Sequence, residues 1–227
     1  MWLRNNALLT LALLASVLTS ASIALIFFYA PVDEDGLNQK IFYVHVPLAF
    51  TAYACFGWGA LKAFMHLWKR PPGADLESYV AVHQGVIFAA MTLLTGSIWA
   101  KISWGHWWVW SERQLVLFLI LFLFYAAYFM LRYSVEPGPQ RANLCAVYAL
   151  FGVVLVPISF LAIRLSESVV HPAPLVRRGG PDMAGSQLLT VLVSIAGMLA
   201  LAAFFYRLEL AGKRLDARLK ELREALA

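Results

Sequence analysis

Between Trp99 and Arg113 the chain reads W-A-K-I-S-W-G-H-W-W-V-W-S-E-R, placing five tryptophans and one histidine within fifteen residues. Each indole is a large flat apolar surface with a single N–H that needs an acceptor. A few tryptophans at a membrane boundary are ordinary, because the headgroup region favours amphipathic rings. Five gathered around Gly105 read instead as a shelf for a flat, apolar, partly charged ligand. Haem, a planar macrocycle with two propionates, fits that description, with Trp104, Gly105, Trp107, Trp108 and Trp110 as the expected contact surface.

Haem also needs iron ligands and cationic partners. Neutral imidazole is a strong ligand, and haem iron accepts one on each side of the ring. Of the five histidines, His66 and His83 fall at the helix ends away from the tryptophans and read as interfacial residues. His45, in I-F-Y-V-H-V-P-L, and His171, in S-V-V-H-P-A-P, fall on the tryptophan side in separate segments and are the expected axial pair. His106 lies within the shelf and ranks third, better placed to meet a ring edge or a propionate. Lys40, Lys101, Arg113, Arg177 and Arg178 supply the positive charge on that side. The planar fork of arginine suits a carboxylate better than an ammonium does. Arg113, three residues beyond Trp110, is the first choice.

The elements that must position these groups are membrane helices. A hydrophobic content of 61% with 14% charged residues excludes an ordinary soluble domain. Six stretches carry no charge (5–32, 41–61, 78–100, 114–131, 142–163 and 183–206), each at least 18 residues long. About 20 apolar residues cross the hydrocarbon. The spacing predicts helices over 6–29, 45–67, 79–100, 114–133, 142–164 and 186–207, an all-α polytopic fold of six transmembrane helices. These runs are too long for the ten-residue alternation of an outer-membrane barrel. The first reads as a retained helix and not a signal peptide, since no A-x-A site is followed by a polar mature segment.

Orientation follows the Lys and Arg bias. With both termini cytoplasmic, twelve of the 18 basic residues lie inside and six outside. The tryptophans, His45 and His171 then face outward. The pI near 9.3 reflects this asymmetry, and no nucleic-acid-binding motif is present. Cys55 and Cys145 sit inside apolar runs without a C-x-x-C spacing and read as packing residues. Pro47 is expected in the first turn of the second helix, and Pro157 should kink the fifth. Residues 1–207 form the membrane domain. In the tail, 208–227, Leu208, Leu215, Leu219, Leu222 and Leu226 mark one face of an amphipathic helix that suits either the bilayer surface or a partner.

These residues resemble the CcmC branch of the cytochrome c assembly family, marked by an outer motif W-G-x-x-W-x-W-D. Trp104, Gly105, Trp108 and Trp110 match it, His45 and His171 fall on the family's outer histidines, and the likeness covers nearly the whole chain. Where the family has Asp, this chain has Ser111 followed by Glu112; serine can cap a helix but cannot hold a salt bridge. The resemblance implies a transfer protein, not an enzyme, in the bacterial inner membrane. It would hold haem b transiently at the periplasmic face and pass it to the haem chaperone CcmE. It also implies two ATP-binding cassette subunits and a small single-span subunit as partners. No G-x-x-x-x-G-K-[ST] loop is present here, so any ATP would be hydrolysed by a partner.

Three other readings compete. A b-type haem or quinone-reactive electron-transfer subunit usually keeps its histidines within the spans. A secondary transporter needs ionisable groups near the midplane, where these spans have almost none. A purely structural subunit would use the tryptophans as membrane anchors only.

Overall fold

The computed structural model describes residues 2–32, 36–165, 175 and 179–226, with residues 2–5 and 163–165 described as backbone only. Helix α1 spans Trp2–Phe28, and a short 3-10 helix, Gly36–Ile41, runs directly into α2, Phe42–Trp68. Then come α3 (Ala74–Trp104), α4 (Arg113–Ser134), α5 (Pro139–Val153), α6 (Leu155–Leu165) and α7 (Gly185–Leu226), with no strand among the described residues. Taking α5 and α6 as one interrupted crossing, Pro139–Ala162, six helical segments among the described residues are long and apolar enough to span a membrane.

The interruption has a local cause. Pro157 has no N–H to give the carbonyl of Val153, and α5 ends at that residue. The Val154 N–H reaches back to the Phe151 carbonyl at 3.3 Å, a tightened turn, before α6 begins at Leu155. Pro47 behaves differently from expectation. Because the 3-10 helix leads α2 in early, Pro47 falls in its second turn, inside the helix and buried. Helix α2 continues through it.

Helix α2 is central, packing on α3, α5 and α7, while α1 pairs with α7 and α4 with α5 and α6. Lipid tails are as apolar as leucine, so these contacts depend on fit and on small residues more than on hydrophobicity. On α1 and α7, Ser22 and Ser194 share a hydrogen bond of 2.6 Å, and Gly197 lets the helices close until a Cβ there would lie 3.2 Å from the Leu18 backbone. At mid-bundle the Phe56 ring stacks on Tyr125 with centroids 3.9 Å apart, and the Tyr125 hydroxyl donates to the Ala149 carbonyl.

Two helices outrun the membrane. At about 1.5 Å per residue the 31 residues of α3 reach roughly 46 Å, against about 30 Å of hydrocarbon. Its ends therefore stand in polar surroundings: Asp75 and Glu77 at one, Lys101 to Trp104 at the other. Helix α7 is an unbroken 42 residues, so the tail continues the sixth span without a joint.

At the tail end of the bundle this extra length is held by ions. Arg132 donates two hydrogen bonds to Asp75, at 2.9 and 2.8 Å, and lies over the Tyr79 ring. Glu77 pairs with Lys62 and Arg214, and Glu209 with His83 and Lys213. His66 meets Asn143 at 3.2 Å. Both histidines at this end thus join neighbouring helices.

Candidate functional site

The opposite end holds the tryptophans. Helix α3 stops because Gly105 takes a left-handed conformation (φ 77°), and its N–H closes on the Lys101 carbonyl. Glycine adopts that region without the steric penalty a side chain would bring. The Lys101 ammonium returns to the Gly105 carbonyl at 3.0 Å, so this lysine braces the turn. The segment then crosses to α4, whose first turn is closed by the Val116 N–H on the Glu112 carbonyl.

This crossing displays its rings. Trp107 and Trp110 are 60% and 72% exposed, whereas Trp104 and Trp108 are half-buried. Trp99 and Trp104 meet edge to face at 5.1 Å, and Trp108 meets Trp110 in the same way at 5.8 Å. The Trp108 indole N–H is buried and has no hydrogen-bond acceptor among the described residues, and the Gln114 side-chain carbonyl is likewise buried without a donor. A buried unpaired donor beside exposed aromatic faces suits a ligand combining a flat apolar body with carboxylates. His106 and Arg113 are exposed, and Arg113 has no ion pair among the described residues. Glu112, not Ser111, is the residue preceding α4, and no side chain caps the helix. Glu112 is buried and Ser111 exposed, so the two are not interchangeable here.

His45 lies in the first turn of α2, half-buried, with its ring against α3. Its Nδ1 is 3.0 Å from Thr95 Oγ1, and the ring rests over Gly96, where a Cβ would come within 2.8 Å of Cε1. Trp99 is one turn farther along the same face of α3. Thr95, Gly96 and Trp99 thus link the histidine to the tryptophan segment. Sequence reasoning passed over Thr95 and Gly96; the available signal was the small polar run T-G-S inside an apolar span.

Lys40 is 9% exposed and donates to the Ala30 carbonyl at 2.8 Å, which holds its ammonium against the first loop, the connection from α1 to the 3-10 helix. Around it, Ile26, Ala30, Tyr43 and Val191 form a small core against which Val46, Met183 and Leu175 pack. Leu175, between α6 and α7, thus packs on the same small core as Phe42 and Val46, which flank His45. His171, Arg177 and Arg178 lie outside the described residues.

The chain is similar in sequence to several known proteins. The chain is 33% identical over 186 residues to a heme exporter protein C from Bradyrhizobium diazoefficiens, covering 82% of this chain and 69% of that one. It is 33% identical to one from Paracoccus denitrificans over 85% and 82% of the respective chains. A putative cytochrome c biosynthesis ccmC-like mitochondrial protein of Arabidopsis thaliana is 28% identical over 85% of this chain and 72% of its own. The family described as heme exporter protein C matches residues 1–225. The chain therefore belongs to the CcmC, or heme exporter protein C, family.

Proposed function

We propose that this protein carries haem as a cargo at the tryptophan end of the bundle and surrenders it for cytochrome c maturation. His45 and His171 are the axial ligands of the iron in this proposal. Trp104, Trp107, Trp108 and Trp110 face the macrocycle around the Gly105 turn, and Arg113 pairs with a propionate. Trp108 and Gln114 extend the polar contacts. Arg177 and Arg178 stand in the same proposal as secondary propionate partners, while Lys40 is disfavoured by its burial beside the Ala30 carbonyl.

One observation carries the proposal: His45 sits at a helix mouth, linked through α3 to exposed tryptophans, and not at mid-span between helices. A shallow, partly exposed site suits a ligand that must be handed on. The electron-transfer alternative is disfavoured, because His66 and His83 are at the far end and bonded to Asn143 and Glu209.

The proposed acceptor is the haem chaperone CcmE, at the periplasmic face of the bacterial inner membrane. ATP-binding cassette subunits and a small single-span subunit complete the assembly, with ATP hydrolysed by the partners. The test is delivery. Haem-loaded protein mixed with CcmE is expected to lose its absorption band as the chaperone gains one; haem that merely changes redox state and stays in place would reject the transfer role.

A further inference from the structure

Thr95 Oγ1 makes three contacts: His45 Nδ1 at 3.0 Å, the Met91 carbonyl at 2.9 Å and the Thr92 carbonyl at 3.2 Å. A carbonyl oxygen only accepts, and a hydroxyl has a single proton to give. All three contacts are hydrogen bonds only when Thr95 donates to the helix backbone and accepts from His45. In the opposite arrangement Thr95 would donate to the ring, and its oxygen would face the Met91 carbonyl at 2.9 Å with no proton between them. The network therefore places the imidazole hydrogen on Nδ1. In a neutral ring the lone pair is then on Nε2.

We infer that Thr95 is a positioning residue that fixes His45 as an Nε2 ligand for the haem iron, and that Gly96 is the notch that sets the ring's depth. The inference rests on the proposed ligation of iron by His45. Its physical content is separate. An acceptor on the distal nitrogen of a ligating histidine holds the tautomer, aligns the ring and raises its basicity. Here the hydroxyl performs that task from α3, while the ligand comes from α2. The absent side chain at Gly96 admits the ring: a Cβ would stand 2.8 Å from His45 Cε1 and 3.4 Å from Nδ1. One turn farther along, Trp99 begins the aromatic segment, so one face of α3 orients the ligand and leads to the shelf.

The experiment is titration of the detergent-purified protein with iron protoporphyrin, reading affinity, visible spectrum and midpoint potential. Wild type is compared with His45→Ala, Thr95→Ser, Thr95→Val and Gly96→Ala. Thr95→Ser, which keeps the hydroxyl, is expected to match wild type. Thr95→Val, nearly the same shape without the acceptor, is expected to lose about 10–100-fold in haem affinity. Its midpoint potential should rise, since a less basic ligand stabilises ferric iron less. Gly96→Ala should lose affinity through displacement of the ring. A second measurement needs no haem: the ¹⁵N spectrum of histidine-labelled apoprotein, assigned with His45→Ala, is expected to show a protonated Nδ1 in wild type and Thr95→Ser. Wild-type affinity and potential in Thr95→Val, with His45→Ala colourless, would overturn the role of Thr95 and leave the ligand in place. Equal losses in Thr95→Ser and Thr95→Val would overturn it too, by making packing the cause. An unchanged spectrum in His45→Ala would remove the ligand and the inference together.

Discussion

The indole N–H of Trp108 is a buried donor without an acceptor among the described residues, a situation that costs about 1–3 kcal/mol where it occurs. Such a group is stabilised when a ligand supplies the acceptor. Trp108→Phe is therefore expected to leave the haem-free protein as stable as wild type or slightly more so, while haem retention falls; thermal unfolding and haem titration measure the two sides. Loss of apoprotein stability with unchanged retention would make Trp108 a packing residue. Arg113 is exposed at the start of α4 with no ion pair among the described residues, so its removal should cost the fold little. Arg113→Ala is expected to speed haem loss while the absorption band keeps the shape of ligated iron, since a propionate contact is broken and not an iron bond. Unaltered retention would count against that contact. At this scale the placement of His45 and the tryptophans at one end of the bundle was legible from residue type and spacing. The contributions of Thr95 and Gly96 were not, because they depend on which face of α3 meets α2. Nor was the state of Lys40, whose ammonium is held against the Ala30 carbonyl by a local fold of the first loop.

Among the elements, helix cores were readable and helix ends were not. The charge-free run predicted α3 over 79–100, whereas it extends from Ala74 to Trp104. Charge marks where lipid ends, and a helix continues into water as long as its polar groups find partners. Asp75 and Glu77 find them in Arg132, Lys62 and Arg214, which the linear sequence does not announce. The consequence of Pro157 was legible, because a missing N–H acts on a fixed neighbour four residues earlier. The early start of α2 was not, since the 3-10 helix that precedes it gives no periodic signal in so few residues. The Arg132–Asp75 pair joins α4 to α3 with the arginine side chain only 8% exposed. Asp75→Asn leaves that cation buried without its partner, and a loss of about 3–5 kcal/mol in unfolding free energy is expected. Lys220→Gln, on the exposed pair with Glu224, should change stability by less than about 1 kcal/mol. Equal Tm shifts for the two variants would show that the inner network does not hold the helices together.

For the whole molecule, six crossings were countable in the sequence, but not which helix meets which. Spans that are apolar on every side give no face to read, so the α1–α7 pair rests on Ser22, Ser194 and Gly197 and becomes visible only in three dimensions. An even number of crossings returns both termini to one side, and the Lys and Arg bias predicts that this side is the cytoplasm. Cysteines introduced at exposed Ser111 and at Ala225 separate the two faces. A membrane-impermeant thiol reagent applied to spheroplasts is expected to label Ser111→Cys and to spare Ala225→Cys until the cells are broken. The reverse pattern would put the tryptophans in the cytoplasm and remove the proposed periplasmic hand-over. The tail extends α7 as one continuous helix, with Leu215, Leu219 and Leu222 exposed, beyond the part that packs on α1 and α2.

The most direct measurement is the visible absorption spectrum of the detergent-purified protein from haem-replete cells, wild type beside the His45→Ala/His171→Ala double variant. The expected result is a Soret band with low-spin bis-imidazole features in wild type that collapses in the double variant. The same band, at the same position and intensity, in both proteins would contradict the assignment of these two histidines to the iron.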